Sequence, residues 1–332
     1  MTPPHPPIAK PHDIEFFERE LASFVPDRVF DAHAHLWADE SLPAHRKSPA
    51  LPPTVGLPEF ARMQQELHPG KRVAANVFHR ITEPQHLAEA NAWTGEQVKS
   101  DPDYRGLFIC PPKQDPEWVR QEVRRLNLTG LKVYHVYSGI APTWDAQIPD
   151  YLPESYIQLA HEEGWVVMLH MVRARAVADP SNIKWIRHYC ETYPNMKLIL
   201  AHSARGFQPN HNLEGLPQLT GLDNLYFDTS GNCDQMAHQA IIRIIGHDKL
   251  MYGTDLPVSH FRGRSVPVAD TFLWLYEESP VWGEKHMKIE PVLIGLEHLR
   301  SVKWACWSER LSDSQVEDLF WNNAARLFGI DT

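Results

Sequence analysis

The sequence predicts an α/β chain that closes as a (β/α)8 TIM barrel, with an N-terminal extension and long loops after strands 1 and 8. Three observations lead there. Short apolar runs recur roughly every 25–40 residues, eight in all, with helical patterns between most of them, as in parallel βαβ units. Trp165–His170 and Lys197–His202 are apolar almost throughout, as strands buried on both faces must be. After the first strand comes Leu36-Trp37-Ala38-Asp39-Glu40. An open doubly wound sheet, the runner-up, would carry a glycine-rich phosphate loop at that point.

In chain order, residues 1–12 read as a flexible proline-rich arm, and Asp13 as the cap of a helix over Ile14–Phe24 that Pro26 ends. Strand 1 is Arg28–His35. Leu36–Leu57 is a long polar loop, and loops of that length are often functional. A helix at Leu57–Leu67 stops at Pro69-Gly70, and strand 2 follows at Arg72–Phe78. Next come a helix over Pro84–Lys99, strand 3 at Arg105–Cys110, a helix at Pro116–Leu126 and strand 4 at Gly130–Val136. The helix Pro153–Glu163 closes at Gly164, a natural left-handed terminator. Strand 5 is Trp165–His170, then a helix at Asn182–Tyr193, strand 6 at Lys197–His202 and strand 7 at Leu225–Asp228. A helix at Asp234–Ile245 leads to strand 8, Lys249–Asp255. The long segment Leu256–Arg310 is expected to hold helices near Val268–Glu278 and Pro291–Leu299. A last helix opens on the capping box Ser312-Asp313-Ser314-Gln315 and ends at Gly329. The division expected is an N-terminal arm and helix, 1–27, and a barrel, 28–330.

Composition bounds the function. The 332 residues are 43% hydrophobic and carry a formal charge of -10, which argues against general nucleic-acid binding. Four scattered cysteines without a Cys-x-x-Cys pair read as reduced thiols of a cytoplasmic protein. The N-terminus has no apolar signal core, and no run approaches the ~20 residues of a membrane helix. A small, anionic molecule is the expected partner; whether the chain forms a homo-oligomer stays open.

Barrel chemistry sits at the C-terminal ends of the strands. Those ends offer His33 and His35 on strand 1, Lys132 on strand 4, His170 on strand 5, His202 on strand 6 and Asp255 on strand 8. One histidine leaving a strand is unremarkable, but six such residues in one ring point to a metal site. By strand alternation, Val29, Asp31, His33 and His35 share a face, so Asp31 is expected either to orient a histidine or to cap the strand.

The order His-x-His, strand-five His, strand-six His and strand-eight Asp resembles the amidohydrolase superfamily. The strings Phe30-Asp31-Ala32-His33-Ala34-His35, Leu200-Ala201-His202, Tyr252-Gly253-Thr254-Asp255-Leu256-Pro257 and Asn323-Ala324-Ala325-Arg326-Leu327-Phe328-Gly329 resemble its amidohydrolase 2 branch. That branch includes aminocarboxymuconate-semialdehyde decarboxylase, resorcylate-type decarboxylases and lactonases. The resemblance implies one divalent ion, zinc or alternatively manganese, on His33, His35, His170 and Asp255. His202 would be the general acid/base, and Asp255 would also take a proton from a metal-activated water. It admits, as the less favoured arrangement, a binuclear site bridged by a carbamylated Lys132; otherwise Lys132 contacts substrate or lines the barrel.

Arg205 is the preferred loop arginine for a substrate carboxylate, with Arg173 and Tyr134 as further candidates and Arg175, Arg262 and Arg264 on the same side. His135, His260, Trp37 and Trp144 could line the pocket. The expectation is a metal-dependent hydrolase of a small carboxylate-bearing amide, lactone or related compound. Its rivals are a non-oxidative decarboxylase of a small aromatic or unsaturated acid and a non-catalytic ligand-binding barrel. Ser203-Ala204-Arg205-Gly206 after His202 lacks the glycine-rich string associated with the decarboxylases, which favours hydrolysis.

Overall fold

A computed structural model describes residues 5–99, 101–286 and 289–330. The barrel strands are β1 (Arg28–Leu36), β2 (Arg72–His79), β3 (Tyr104–Gly106), β4 (Phe108–Ile109), β5 (Gly130–Tyr134), β6 (Val166–His170), β7 (Lys197–Leu200), β8 (Leu225–Asp228) and β9 (Leu250–Met251). All neighbours pair in parallel. β3 and β4 form one stave interrupted at Leu107, whose N–H still donates to Val77 O at 3.0 Å. The ring closes where Ala32 N donates to Tyr252 O (2.9 Å), Asp255 N to His33 O (2.8 Å) and His35 N to Leu256 O (3.1 Å). Eight staves result, and the predicted (β/α)8 barrel is the fold.

Period-two alternation sorts each stave between two cores. Leu131, Val133, Val167, Leu169, Leu198 and Leu200 pack outward under the helices. Ala74, Val166, Met168, Ile199 and Met251 point inward. The floor of the barrel is plugged by the C-terminal helical segment, whose Phe328 stacks on Phe30 at 5.6 Å. Above this apolar plug, the same inward face of β5 and β6 continues as Lys132, Tyr134 and His170.

β1 departs from simple alternation. Its pairing with β2 shifts register between Asp31 and Ala34, so three residues of β1 span two of β2. This bulge leaves the Ala32 carbonyl to accept Asn76 Nδ2 at 3.1 Å. Ala32 then packs inward, Val29 and Ala34 pack outward, and His33 and His35 line the central cavity. Asp31 therefore does not share the histidines' face, contrary to expectation. It accepts Gln64 Nε2 from the helix Leu57–Leu67 and both the N–H and Oγ1 of Thr254, tying the first stave to the last. Burial pushes its carboxyl up to about 7 despite those donors.

Other expectations also need correction. Residues 5–10 are not a loose arm: Ile8 and Ala9 donate their N–H groups to Glu66, and a helix already starts at Pro11, running Pro11–Phe16 and on through a wider turn, Phe17–Leu21. Residues 1–4 lie outside the described range. Asp13 is three residues inside that helix, accepts Lys10 N, and forms a buried ion pair with Arg262. The expected helix at Val268–Glu278 is a β-hairpin, β10 (Gly263–Val268) and β11 (Thr271–Tyr276). Val268, Phe272 and Leu275 mimic helical spacing, but Thr271-Phe272-Leu273-Trp274-Leu275-Tyr276 is β-branched and aromatic, and Ala269 takes the left-handed φ of 49° that closes a tight turn. The last long helix runs Ile294–Ser308 rather than near Pro291–Leu299. No helix among the described residues is long and apolar enough to cross a membrane.

Candidate active site

At the C-terminal mouth lies a cavity of about 220 Å³ whose lining includes His33, His35, His170, His202, Asp255 and Tyr134. β1, β5 and β6 bring their residues on the inward face of a strand. His202 arrives differently from expectation. β7 stops at Leu200, and His202, Ser203, Ala204 and Arg205 follow with φ of 59°, 52°, 58° and 55°. A left-handed turn of non-glycine residues costs roughly 1 kcal/mol or more at each position. Asn212 Nδ2 donates to Ser203 O (3.0 Å), His238 Nδ1 meets Ser203 Oγ (2.7 Å) and Asp228 accepts His202 N–H (3.0 Å), which offsets that strain. Asp255 also sits beyond its strand, with φ of 56°.

The polar atoms converge. Asp255 Oδ1 lies 3.3 Å from His35 Nε2 and 3.6 Å from His33 Nε2, and its Oδ2 lies 3.9 Å from His202 Nδ1. His170 packs edge-on against His202 with ring centroids 5.0 Å apart, and its Nδ1 is buried without a hydrogen-bond partner. The most compact donor set is His33, His202 and Asp255, with ligand atoms all within 4.8 Å of one another. Lys132 Nζ is 3.3 Å from His33 Nε2 and lies over the rings of Phe78 and Tyr134. The Tyr134 hydroxyl is 3.5 Å from His35 Nδ1.

Two residues not singled out from sequence organise this cluster. Asp228, the last residue of β8, accepts His33 Nδ1 at 3.0 Å on one carboxylate oxygen. Its other oxygen accepts His202 N–H (3.0 Å), Ser230 N–H (3.1 Å) and the Ser230 hydroxyl. With its proton given to Asp228, Ser230 Oγ turns lone pairs to His33 Nδ1 (3.1 Å) and His202 Nδ1 (3.0 Å). His202 Nδ1 also faces the Ser230 carbonyl at 2.9 Å, and a carbonyl can only accept. The network therefore assigns the proton to Nδ1 of both rings and leaves both Nε2 lone pairs available to the cavity.

Burial dominates the electrostatics. It lowers the His33, His35 and His170 rings, takes His202 down to about 4 and takes the Lys132 ammonium down to about 7. Burial alone would raise the two carboxyls, but His33, His202 and Ser230 hold Asp228 well below the usual range, and His202 and His35 bring Asp255 to about 2. Both carboxylates are thus charged and the imidazoles neutral at pH 7, the protonation state in which imidazole nitrogen ligates.

The arginines divide. Arg46 and Arg80 line the central cavity, which sequence reasoning missed. Arg80 directly follows β2, so the strand-end rule could have found it, as it could have found Asp228; Arg46, from the loop after β1, left no signal. Arg205 and Arg173 line a neighbouring cavity instead. Arg175 pairs with Glu214, Arg262 with Asp13 and Arg264 with Glu297. His260 is held against Met63 O, Trp37 packs beside Arg80, and His135 sits between His170 and Trp144.

The amidohydrolase family profile (Amidohydro_2) matches residues 30–330. No curated protein matches the sequence. An amidohydrolase from Burkholderia multivorans superposes with a TM-score of 0.59 at 13% identity, covering 91% of this chain and 99% of that one. A Pseudomonas putida protein provisionally named 2-pyrone-4,6-dicarboxylic acid hydrolase gives 0.55 at 16% identity, covering 93% and 100%. The 5-carboxyvanillate decarboxylase of Sphingomonas paucimobilis gives 0.54 at 14% identity, covering 92% and 100%. Their identity to this chain is low enough that they speak to fold and not to reaction. With a family profile spanning nearly the whole barrel, and the strand-end histidines and aspartate gathered in one cavity, the chain belongs to the amidohydrolase family.

Proposed function

We propose that this chain is a metal-dependent hydrolase acting on a small carboxylate-bearing amide, lactone or related compound. One observation carries the reading: imidazole and carboxylate donors converge in a cavity that Arg46 and Arg80 also line, and neither arginine is ion-paired to a described carboxylate. The donor set suits a divalent ion of borderline character such as zinc, with manganese as the alternative. His33, His35, His170 and Asp255 would hold it, and the buried, unpartnered His170 Nδ1 fits a ring not committed to protein partners. Such an ion supplies Lewis acidity, polarising a carbonyl and making water acidic near neutral pH.

The chain's own groups do the rest. His202, with Nδ1–H given to Ser230, keeps Nε2 as the proton acceptor and later returns that proton to the leaving group. Asp255 is the second proton carrier. Tyr134 and Lys132 line the reacting end, and the Arg46–Arg80 pair takes the substrate carboxylate. With a single ion Lys132 would stay uncarbamylated, its amine 3.3 Å from His33 Nε2. Solvation by the cytoplasm agrees with four buried, unpaired cysteines.

Metal analysis of the purified chain should find about one divalent ion. A chain with none, and inactive when zinc or manganese is supplied, overturns the reading. His202→Asn should abolish turnover while leaving ion content unchanged. Carbon dioxide among the products would move the protein to the decarboxylase reading, and binding without any turnover to the ligand-binding one.

A further inference from the structure

Beside the metal cavity lies a second one, about 210 Å³, lined by Trp144, Arg173, Arg205 and Phe272 among others. Arg205 is its unusual member. Among the described residues its guanidinium has neither an acidic partner nor a hydrogen-bond acceptor; it lies only over the Trp144 ring, 5.0 Å from the centroid. Its neighbours are otherwise spoken for: Arg173 bonds Asp179 and the Asp145 carbonyl, and Arg175 bonds Glu214. Asp145 lines the cavity without ion-pairing to Arg205. A partly buried cation left without an anion is costly, and an aromatic face meets only part of that cost.

The cavity is also built rather than incidental. The tip of the β10–β11 hairpin forms its outer wall, fixed by Gln208 to Ala269 O and by His211 to Asp270. Phe272 on that tip stacks on Phe207 at 4.4 Å. Two ring contacts, His170 to His135 (5.3 Å) and His135 to Trp144 (4.8 Å), connect it with the metal cavity.

We propose that this cavity is a second anion subsite, in which Arg205 receives a carboxylate carried on a planar, conjugated or aromatic group that packs against Trp144 and Phe272. It deepens the hydrolase reading above and rests on it for the identity of the neighbouring site. The planar acid is either the far arm of the substrate or a separate small acid, and the recognition chemistry is the same for both.

Benzoate titrated calorimetrically into the full-length, chelator-treated protein tests the subsite without needing metal or turnover. Failure of the metal reading therefore leaves this test intact. Arg205→Met should weaken benzoate binding at least tenfold, and Arg205→Lys should retain it within a few-fold; both keep a β-carbon at the same left-handed position, so backbone strain is matched. Trp144→Phe should bind benzoate but lose the accompanying quench of tryptophan fluorescence. Arg80→Met should leave the Arg205-dependent binding in place. Equal benzoate affinity in wild type and Arg205→Met, or loss of the binding in Arg80→Met alone, overturns the proposal. Competitive inhibition of turnover by benzoate assigns the subsite to the substrate's far arm, and non-competitive inhibition assigns it to a separate acid; either one supports it.

Discussion

Replacing Asp228 by Asn changes one atom of the most heavily used carboxylate in the site, and the structure dictates the consequence. One oxygen of Asp228 takes three donors and the other takes His33 Nδ1–H. An asparagine must put its carbonyl where the three donors are, because its NH2 there would face three N–H or O–H groups. The NH2 then points at His33 Nδ1, and Nδ1 must become the acceptor. The ring proton moves to Nε2, the atom 3.6 Å from Asp255 that a metal ion would need. Loss of one charge-assisted hydrogen bond, with the wrong tautomer in its place, amounts to roughly 1.5–3 kcal/mol. That is about a 10–100-fold weaker ion affinity, the size expected when a ligand's supporting carboxylate is lost. Competition against a fluorescent chelator reads the affinity directly, and circular dichroism of the metal-free variant separates it from misfolding. An Asp228→Asn protein that folds and binds zinc as tightly as wild type would refute the tautomer argument.

Three further perturbations follow from particular contacts. Arg262→Met strips the partner from buried Asp13, whose ion pair is 2.6 Å long, and should cost roughly 3–5 kcal/mol by denaturant titration; less than 1 kcal/mol would mean that the N-terminal helix is not anchored there. Gly253→Ala places a β-carbon 3.0 Å from His33 Cβ and 3.2 Å from its backbone N, so ion affinity should fall about tenfold with the fold retained, read by the same competition. Burial takes His68 down to about 3 and His79 and His238 to about 4, so all three are neutral when folded. Between pH 6.5 and about 4 the unfolded chain binds more protons than the folded one. The stability these rings contribute is complete above pH 6.5 and is lost on acidification, by about 1.4 kcal/mol per pH unit for each ring; thermal melts that do not fall across that range would contradict it.

The barrel was legible because its signal is collective: alternating apolar runs, buried on both faces and ended by polar residues, recur around the whole ring. The residues of the site were legible for the same reason, since His170 and Lys132 stand on the inward face that Met168 and its neighbours define. What alternation could not supply is the places where alternation is broken. The bulge between Asp31 and Ala34 reverses the face of Asp31, and nothing in Phe30-Asp31-Ala32-His33 announces it. The hairpin at 263–276 was hidden because Val268, Phe272 and Leu275 satisfy a helical stripe as well as a strand. Asp228 ends β8 as visibly as Asp255 follows β9. Its role depends on His33 Nδ1 lying opposite it across 195 residues, which is tertiary information.

The left-handed turn after β7 serves both cavities at once. In four residues it directs His202 inward, to Ser230 and the central cavity, and sends Arg205 outward, to Trp144 and the second one. The turn also needs its supports. Gly206 has no room for a side chain, since a β-carbon would lie 2.4 Å from Asn212 Oδ1, and Asn212 is the residue that holds the Ser203 carbonyl. His202 and the unpaired Arg205 are thus set by one backbone segment and its braces. A change in Asn212 or His238 should move both together, and substitutions in the hairpin that roofs the second cavity should alter Arg205's surroundings while leaving the His202–Ser230 contact in place.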